Sequence, residues 1–452
     1  MEDFRTANDA AEKGSQAGVD AGKLLADSGF MEKESNALTG TRSAGKERKA
    51  GDAVEDHYII VLKDKPLGAA KDSGNLVEDK IAKVMNRNGI RPTIGASQDT
   101  LIFKNAITGF ATTLDAKQKQ ALQNDPDVAF VEQNKVVGIK PRNVTPTARN
   151  GGEYPTGVLR IEADKSPTHN TPGGVDVDIA ILDTGINLRH SDLNVVENVS
   201  FIPGAATGDD DNGHGSHVGG SAAAKGDGKG VIGVAPGARL WAVKVLDSSG
   251  YGTMAQVIAG VDYVTKNADK IEVANMSLGD KEQSEAFNRA ISQSVAAGVT
   301  HVVAAGNESD NAKDYSPANH PDVLTVSALA DSDGKGGGLG SRTCDWERDD
   351  VLASFSNYGE KVGIAAPGAC IESAWKASRS NTDTYASISG TSMASPHAAG
   401  AAGLVKARNP HFTPHQVYKH LIDNGKAQND PNYGMKGDKD QFPEPILNVK
   451  GF

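Results

Sequence analysis

Three segments of the chain each present a residue type that acyl-transfer chemistry needs. VDVDIAILDTGI (175–186) reads as a buried strand that ends on Asp183 and turns at Thr-Gly, which delivers a carboxylate to a strand end. NGHGSHVGGSAAA (212–224) places His214 where a Gly-flanked loop enters a helix of small residues. SGTSMASPHAAGAAGLV (389–405) sets Ser392 in the first turn of an Ala/Gly-rich helix, with Gly390 before it. An imidazole works as a general base on a hydroxyl when a carboxylate holds its other nitrogen, and N–H groups at a helix start stabilise negative charge on an attacked carbonyl. Taken singly, Asp183 could cap a turn and Ser392 a helix. Neither role explains all three segments in one chain.

His217 follows His214 by three residues on the same helix, and a His-x-x-His pair raises the question of a metal. No third ligand cluster accompanies it, so His217 is expected to be structural.

The elements that position these groups are legible from periodicity. Apolar runs at 175–182, 240–246, 271–278, 299–306 and 323–329 alternate with helical patterns at 214–224, 253–267, 284–297 and 392–407. Strands apolar on both faces and separated by helices predict a mostly parallel central sheet covered on each side, an α/β architecture of three layers. The active site of such a sheet lies at the carboxyl ends of its strands. Upstream, the order of YIIVLK (58–63), a helix through Val77, Ile81, Val84 and Met85, strands near 101–103 and 107–114, a helix capped by Asp115 and a strand at 127–133 is β-α-β-β-α-β. That order predicts a small α+β, ferredoxin-like module. The expected organisation is a flexible low-complexity leader (1–56), the small module (57–139), a Pro/Gly/Thr-rich linker open to proteolysis (140–154) and a large domain (155–452).

Composition narrows the function further. The 452 residues carry a net charge of -11 and no basic stripe, which gives polyanions no foothold, so no nucleic-acid partner is expected. No apolar run reaches the roughly 18 residues of a membrane span, so no membrane partner is expected either. The opening MEDFRTANDAAEKGSQAGVDAGK has neither the basic start nor the apolar centre of a secretory signal. Of the two cysteines, Cys344 and Cys370, neither has metal-ligand neighbours; they read as a disulfide, with two unpaired thiols as the alternative.

The order Asp, His, Ser is that of subtilisin, distinct from chymotrypsin and the α/β-hydrolases. AILDTGI, GHGSHVGG and GTSMASPHAAG closely resemble the three signature blocks of the subtilase family, and DYSPANHP (314–321) looks most like its proteinase K branch. The resemblance runs from about residue 155 to the C-terminus. Ser216 stands where the family usually has Thr, and 331–350 looks inserted.

The resemblance implies a subtilisin-like fold and a serine endopeptidase with Ser392 as nucleophile, His214 as base then acid, Asp183 as its orienting acid and the Asn307 amide in the oxyanion hole. It also implies that Gly250 and Gly252 on one side, and Ser277, Leu278 and Gly279 on the other, pair with an extended peptide. Ala304, Ala305 and Gly306 would complete a pocket for an apolar or aromatic side chain. Asp192 and Asp227 match positions that hold calcium. Residues 57–139 resemble the subtilase propeptide, a chaperone and inhibitor whose tail is cut between Gly138 and Ala148 by the enzyme itself. Peptide and protein substrates and the chain's own propeptide as inhibitor follow from the same resemblance; no organic cofactor, a monomer and an extracellular setting are expected beside it, with a cytoplasmic setting as the alternative. A non-catalytic relative would be expected to have lost one of Asp183, His214, Asn307 or Ser392. An α/β-hydrolase esterase needs a G-x-S-x-G elbow, which Gly390-Thr391-Ser392-Met393-Ala394 is not. A cytoplasmic housekeeping protease fits poorly with a full propeptide.

Overall fold

Strand Asp178–Asp183 shows how the large domain is layered. Its side chains alternate between two cores: Ile179 and Ile181 pack with the helices His214–Ala223 and Thr391–Arg408, whereas Ala180 and Leu182 pack with Met254–Lys266 and Glu285–Ala296. A period of two with both faces buried makes the run continuously apolar, as a strand between two helical layers requires. In this computed structural model the described residues are 48–63, 74–91, 100–139, 142–147, 151–281, 283–378 and 380–452. Most of the leader expected at 1–56, and residues 140–141 and 148–150 of the linker, lie outside them.

The central sheet runs in the spatial order Val351–Leu352, Leu324–Ala330, Thr300–Ala304, Val273–Met276, Asp178–Asp183, Arg239–Lys244 and Val195–Ser200, with Ile364–Pro367 also paired to Leu324–Ala330. Every pairing is parallel except that of the two-residue strand Val351–Leu352. The helix Thr391–Arg408 is buried along almost its whole length, and its Ala and Gly residues let it pass close to its neighbours; a Cβ on Gly400 would lie 2.7 Å from the carbonyl of Ala222.

The small N-terminal module has the expected order of elements. Strand Ala53–Leu62 pairs with Gly109–Thr113 and Val128–Gly138, Leu101–Phe103 sits on the edge, and the helices are Gly74–Arg87 and Ala116–Gln123, the latter with a capping box on Asp115. The first strand starts earlier than its apolar run, because Ala53 pairs with Lys135 beyond a bulge. Its two faces have different partners. Tyr58, Ile60 and Leu62 lie under the module's own helices with Ile81, Met85 and Phe110, while Ile59 and Val61 join the core that holds the helices 254–266 and 285–296. The run YIIVL is therefore apolar on both faces because one of them is a docking surface. A disulfide joins Cys344, on the segment 331–350, to Cys370, directly before the strand Ile371–Ala374, which pairs with the strand Tyr385–Ser389 that leads to Ser392.

Candidate active site

Asp183 ends its strand fully buried, and its carboxylate receives His214 Nδ1 at 2.8 and 2.9 Å and the N–H of Thr184 at 2.7 Å. His214 opens its helix from Gly213, whose φ of +117° suits glycine alone and whose Cβ, if present, would lie 2.3 Å from Trp375. Gly215 is equally constrained, since a Cβ there would sit 2.0 Å from the carbonyl of Gly185. The small residues of this block thus bring the imidazole against the Asp183 turn.

Asp210, which sequence reasoning passed over, holds that arrangement together. Its buried carboxylate accepts from Thr184 Oγ1 (2.9 Å), from the N–H groups of Asn212, Gly213 and Ser216 (2.9 Å each) and from Ser216 Oγ (2.6 Å). One carboxylate therefore ties the Asp183-Thr184 turn to the start of the His214 helix. The available signal was the acidic run Asp209-Asp210-Asp211 directly before Asn212. Ser216 supplies the hydroxyl this network needs, and accepts from the N–H of Asn187 (2.8 Å), so the departure from Thr removes only a methyl group.

Ser392 lies in the first helical turn, where Met393 N donates to the Gly390 carbonyl (2.9 Å) but the N–H of Ser392 has no intrahelical acceptor. Its hydroxyl donates to the carbonyl oxygen of Ser277 (3.2 Å), and Ser277 Oγ donates back to the carbonyl oxygen of Ser392 (2.9 Å). Pro396 explains the second bond. It has no N–H for the carbonyl four residues earlier, so that acceptor is open to Ser277. The proline in GTSMASP was the sequence signal for this clasp.

Asn307 Oδ1 accepts from Thr391 N (2.8 Å) and Thr391 Oγ1 (3.0 Å), which fixes the side-chain amide beside Gly390. Ser392, Asn307, Ser277, Leu278, Gly279, Ala304, Ala305 and Gly306 all line one cavity of about 220 Å³, together with Gly138 and Ile139 of the N-terminal module. That module's last strand reaches the site as an added strand: Val136, Val137 and Gly138 pair antiparallel with Thr253, Gly252 and Tyr251, and Ile139 N donates to the carbonyl of Gly250 (3.0 Å). Among the described residues Ser277–Gly279 forms no second ladder with it; those residues act as cavity wall. Farther along the chain, Arg142–Thr147 pairs antiparallel with Tyr385–Ser389.

The remaining histidine and acidic candidates separate clearly. His217 is wholly buried, its Nε2 is hydrogen-bonded to the carbonyl of Ile371 (2.9 Å), and burial pushes its pKa down to about 3, so it is a neutral structural side chain. Asp192 is buried, with Oδ2 accepting from Val231 N (2.9 Å) and Tyr385 OH (3.3 Å) and Oδ1 left without a hydrogen-bond donor. Burial, with Asp227 and Asp383 adding negative charge, pushes its pKa up to about 6. An orphaned buried carboxylate oxygen is what a bound cation would relieve, so Asp192 fits one. Asp227 is exposed nearby. A further acidic group, Asp331, Asp333 and Asp349, gathers on the 331–350 segment next to Arg160.

Comparison with known proteins places the chain in a family. The model described as the subtilase family, peptidase S8, matches residues 174–439. The chain belongs to the subtilase family. The model described as peptidase inhibitor I9 matches residues 57–140, the region whose tail enters the site. An alkaline protease of Alkalihalobacillus alcalophilus is 35% identical over 322 residues, covering 71% of this chain and 75% of that one. Subtilisin DY of Bacillus licheniformis is 37% identical, covering 63% of this chain and 95% of its own. The solved structure of a cold-adapted subtilisin-like serine proteinase shares 32% identity and a TM-score of 0.50, covering 65% of this subtilase and 97% of that chain. The protein is a subtilisin-like serine endopeptidase with an N-terminal propeptide inhibitor domain.

Proposed function

We propose that Ser392, His214 and Asp183 form the catalytic triad, with Asn307 Nδ2 and the Ser392 N–H as the oxyanion hole. The observation that carries this reading is the His214–Asp183 pair at 2.8 Å, together with Ser392 and Asn307 lining one cavity. As Ser392 Oγ leaves the Ser277 carbonyl and bonds to the substrate carbonyl carbon, its proton passes to His214 Nε2. His214 gives that proton to the departing amine when the C–N bond breaks, and water repeats the sequence to hydrolyse the acyl-enzyme. Asp183 keeps the imidazole in the tautomer with Nδ1 protonated. Asn307 is pre-oriented by Thr391, so stabilising the oxyanion needs no reorganisation during the reaction.

Substrates lie along Tyr251–Thr253 as an added strand, and the Ser277–Gly279 and Ala304–Gly306 walls admit a sizeable apolar or aromatic side chain. Main-chain pairing tolerates many sequences, which gives broad cleavage with an apolar bias. The same edge holds Val136–Gly138 in the zymogen, and farther along the chain Arg142–Thr147 is paired to the strand Tyr385–Ser389. This supports a self-inflicted cut between Gly138 and Ala148, after which residues up to 139 remain as a product-like inhibitor. We assign calcium to Asp192 with Asp227, where it would supply charge and rigidity, not chemistry. Among the described residues no helix is long and apolar enough to cross a membrane. The disulfide and the propeptide favour work outside the cytosol.

Phenylmethanesulfonyl fluoride tests the assignment. Peptide mapping should find one sulfonyl adduct, on Ser392, in step with loss of peptide hydrolysis. An adduct elsewhere, or full inhibition with Ser392 unmodified, would overturn it.

A further inference from the structure

The inhibitor-domain match begins at residue 57, yet among the described residues contact between the N-terminal module and the peptidase begins at Arg48. Arg48 Nη1 donates to Asp247 Oδ2 (3.1 Å). Asp247 shapes the turn that leads into the substrate edge: its Oδ1 accepts from the N–H groups of Ser249 (2.9 Å) and Tyr251 (3.1 Å), and its carbonyl accepts from Gly250 N (2.9 Å). Ala50, half-buried, lines the same cavity as Ser392 and Asn307. The chain then turns at Gly51, whose φ of +89° favours glycine. Two hydrogen bonds of 3.1 Å tie this turn, Asp52 N to the Lys49 carbonyl and Lys49 N to Asp52 Oδ2.

That turn lays the chain along the tail that occupies the site. Gly51 N donates to the carbonyl of Val136 and Val136 N donates to the carbonyl of Asp52, both at 2.8 Å, and Ala53 pairs with Lys135. In the sheet, Val128–Gly138 lies between Ala53–Leu62 and Tyr251–Thr253, so the tail is held on both edges. Val136 is where the two meet: residues 51 and 52 take its carbonyl and its N–H, and it stands opposite Thr253 in the pairing with the peptidase. A hydrogen-bonded neighbour on the second edge opposes sliding of the tail, and ordering a segment in advance lowers the entropy lost when it binds.

We propose that Arg48–Ala53 is a positioning brace for the self-cut: it holds Val136, and through it the Val136–Ile139 tail, in register along the substrate edge, and it slows departure of the tail once cut. The inference rests on the triad reading and on a cut between Gly138 and Ala148. Gly51 and Asp52 act through the tail and Arg48 through Asp247; none of them takes part in the chemistry at Ser392.

The test compares wild type, Gly51→Pro, Arg48→Ala and Arg48→Lys as full chains, timing the cut by intact mass and the release of activity by peptide hydrolysis. Proline has no N–H for Val136 and cannot reach a positive φ. A net hydrogen bond corresponds to a factor of roughly 2–12 in an equilibrium, and an exposed ion pair to roughly 2–5. Gly51→Pro should therefore shorten the lag between cut and activity about tenfold, and Arg48→Ala about threefold, with Arg48→Lys restoring most of the difference. In the same chains carrying Ser392→Ala, hydrogen exchange at the Val136 amide should speed up about tenfold in Gly51→Pro, while the amides of residues 59–61 exchange as in the parent. A Gly51→Pro lag within twofold of wild type, or unchanged exchange at Val136, overturns the proposal. Equal acceleration at 59–61 also overturns it, because that marks a module merely loosened. A wild type that never cuts itself would sink the triad reading instead; the exchange measurement needs no catalysis and still decides the brace.

Discussion

Asp262 is expected to set how long the propeptide stays on the enzyme. It lies on the helix 254–266 at 6% exposure, and its carboxylate accepts the N–H groups of Lys104 (3.1 and 3.2 Å), Asn105 (2.7 Å) and Ala106 (2.7 Å) and Asn105 Nδ2 (2.7 Å). In Asp262→Ala these donors lose a charged acceptor in the docked state only; in the free enzyme position 262 faces water. A hydrogen bond to a charged group contributes roughly 1.5–3 kcal/mol. Water entering beside the half-exposed Lys104 offsets much of the sum, so about 3 kcal/mol of docking is expected to go, or about 150-fold in affinity. The assay follows the full-length chain by intact mass, to time the cut, and by peptide hydrolysis, to time the release of activity. Asp262→Ala should shorten the lag between cut and activity by about two orders of magnitude while the processed enzyme keeps its melting temperature. A lag within twofold of wild type would show that the apolar face of Ile59 and Val61 carries the docking alone, and would refute the reasoning.

Asp210→Ala should lower kcat at least about tenfold with little change in KM, because it loosens His214 without touching the peptide-binding edge; equal loss in KM would count against a positioning role. Three buried histidines each make the fold lose stability in acid. Burial lowers the pKa of His217 and His301 to about 3 and of His397 to about 4, so the unfolded chain takes up their protons first. Their contribution is complete above pH ~6.5 and is lost as the pH falls below it toward those values, by up to about 1.4 kcal/mol per histidine per pH unit. Buried carboxyls pull the other way, since burial raises Asp331 and Glu444 to about 8 and Asp192 to about 6, so the test is differential: on going from pH 6.5 to 4.5, His397→Gln should lose less melting temperature than wild type. Reducing the Cys344–Cys370 bridge, which closes a 26-residue separation, should cost up to about 3.5 kcal/mol by the chain-entropy estimate, read as a lower denaturation midpoint.

The alternation of long apolar runs with helical patterns made the central sheet legible, because strands such as 178–183 and 300–304 are buried on both faces and leave a continuous signal. Val195–Ser200, Ile371–Ala374 and Tyr385–Ser389 were not read as strands. The first has a half-exposed, mixed face, and the others are four and five residues long and exist through their partners. The strand expected at 127–133 continues to Gly138 for the same reason, since its last residues pair with 251–253. Asp183, His214 and Ser392 were legible because each carries a distinctive local pattern, whereas the cavity walls 277–279 and 304–306 and Asn307 were legible only through the resemblance to subtilases. Asp210, Thr391 and the Ser277–Pro396 relation were not, because their roles are hydrogen bonds between segments far apart in sequence.

Self-processing by serine chemistry at Ser392 would leave its record in the mass of the chain. Intact-mass analysis of purified wild type and Ser392→Ala after incubation, with peptide hydrolysis in parallel, tests it directly. Wild type should shed its N-terminal part at a bond between Gly138 and Ala148 and become active, while Ser392→Ala stays full length and inert. A Ser392→Ala chain that still cuts itself at that bond, or a wild type that remains whole and inactive under folding conditions, would contradict the account.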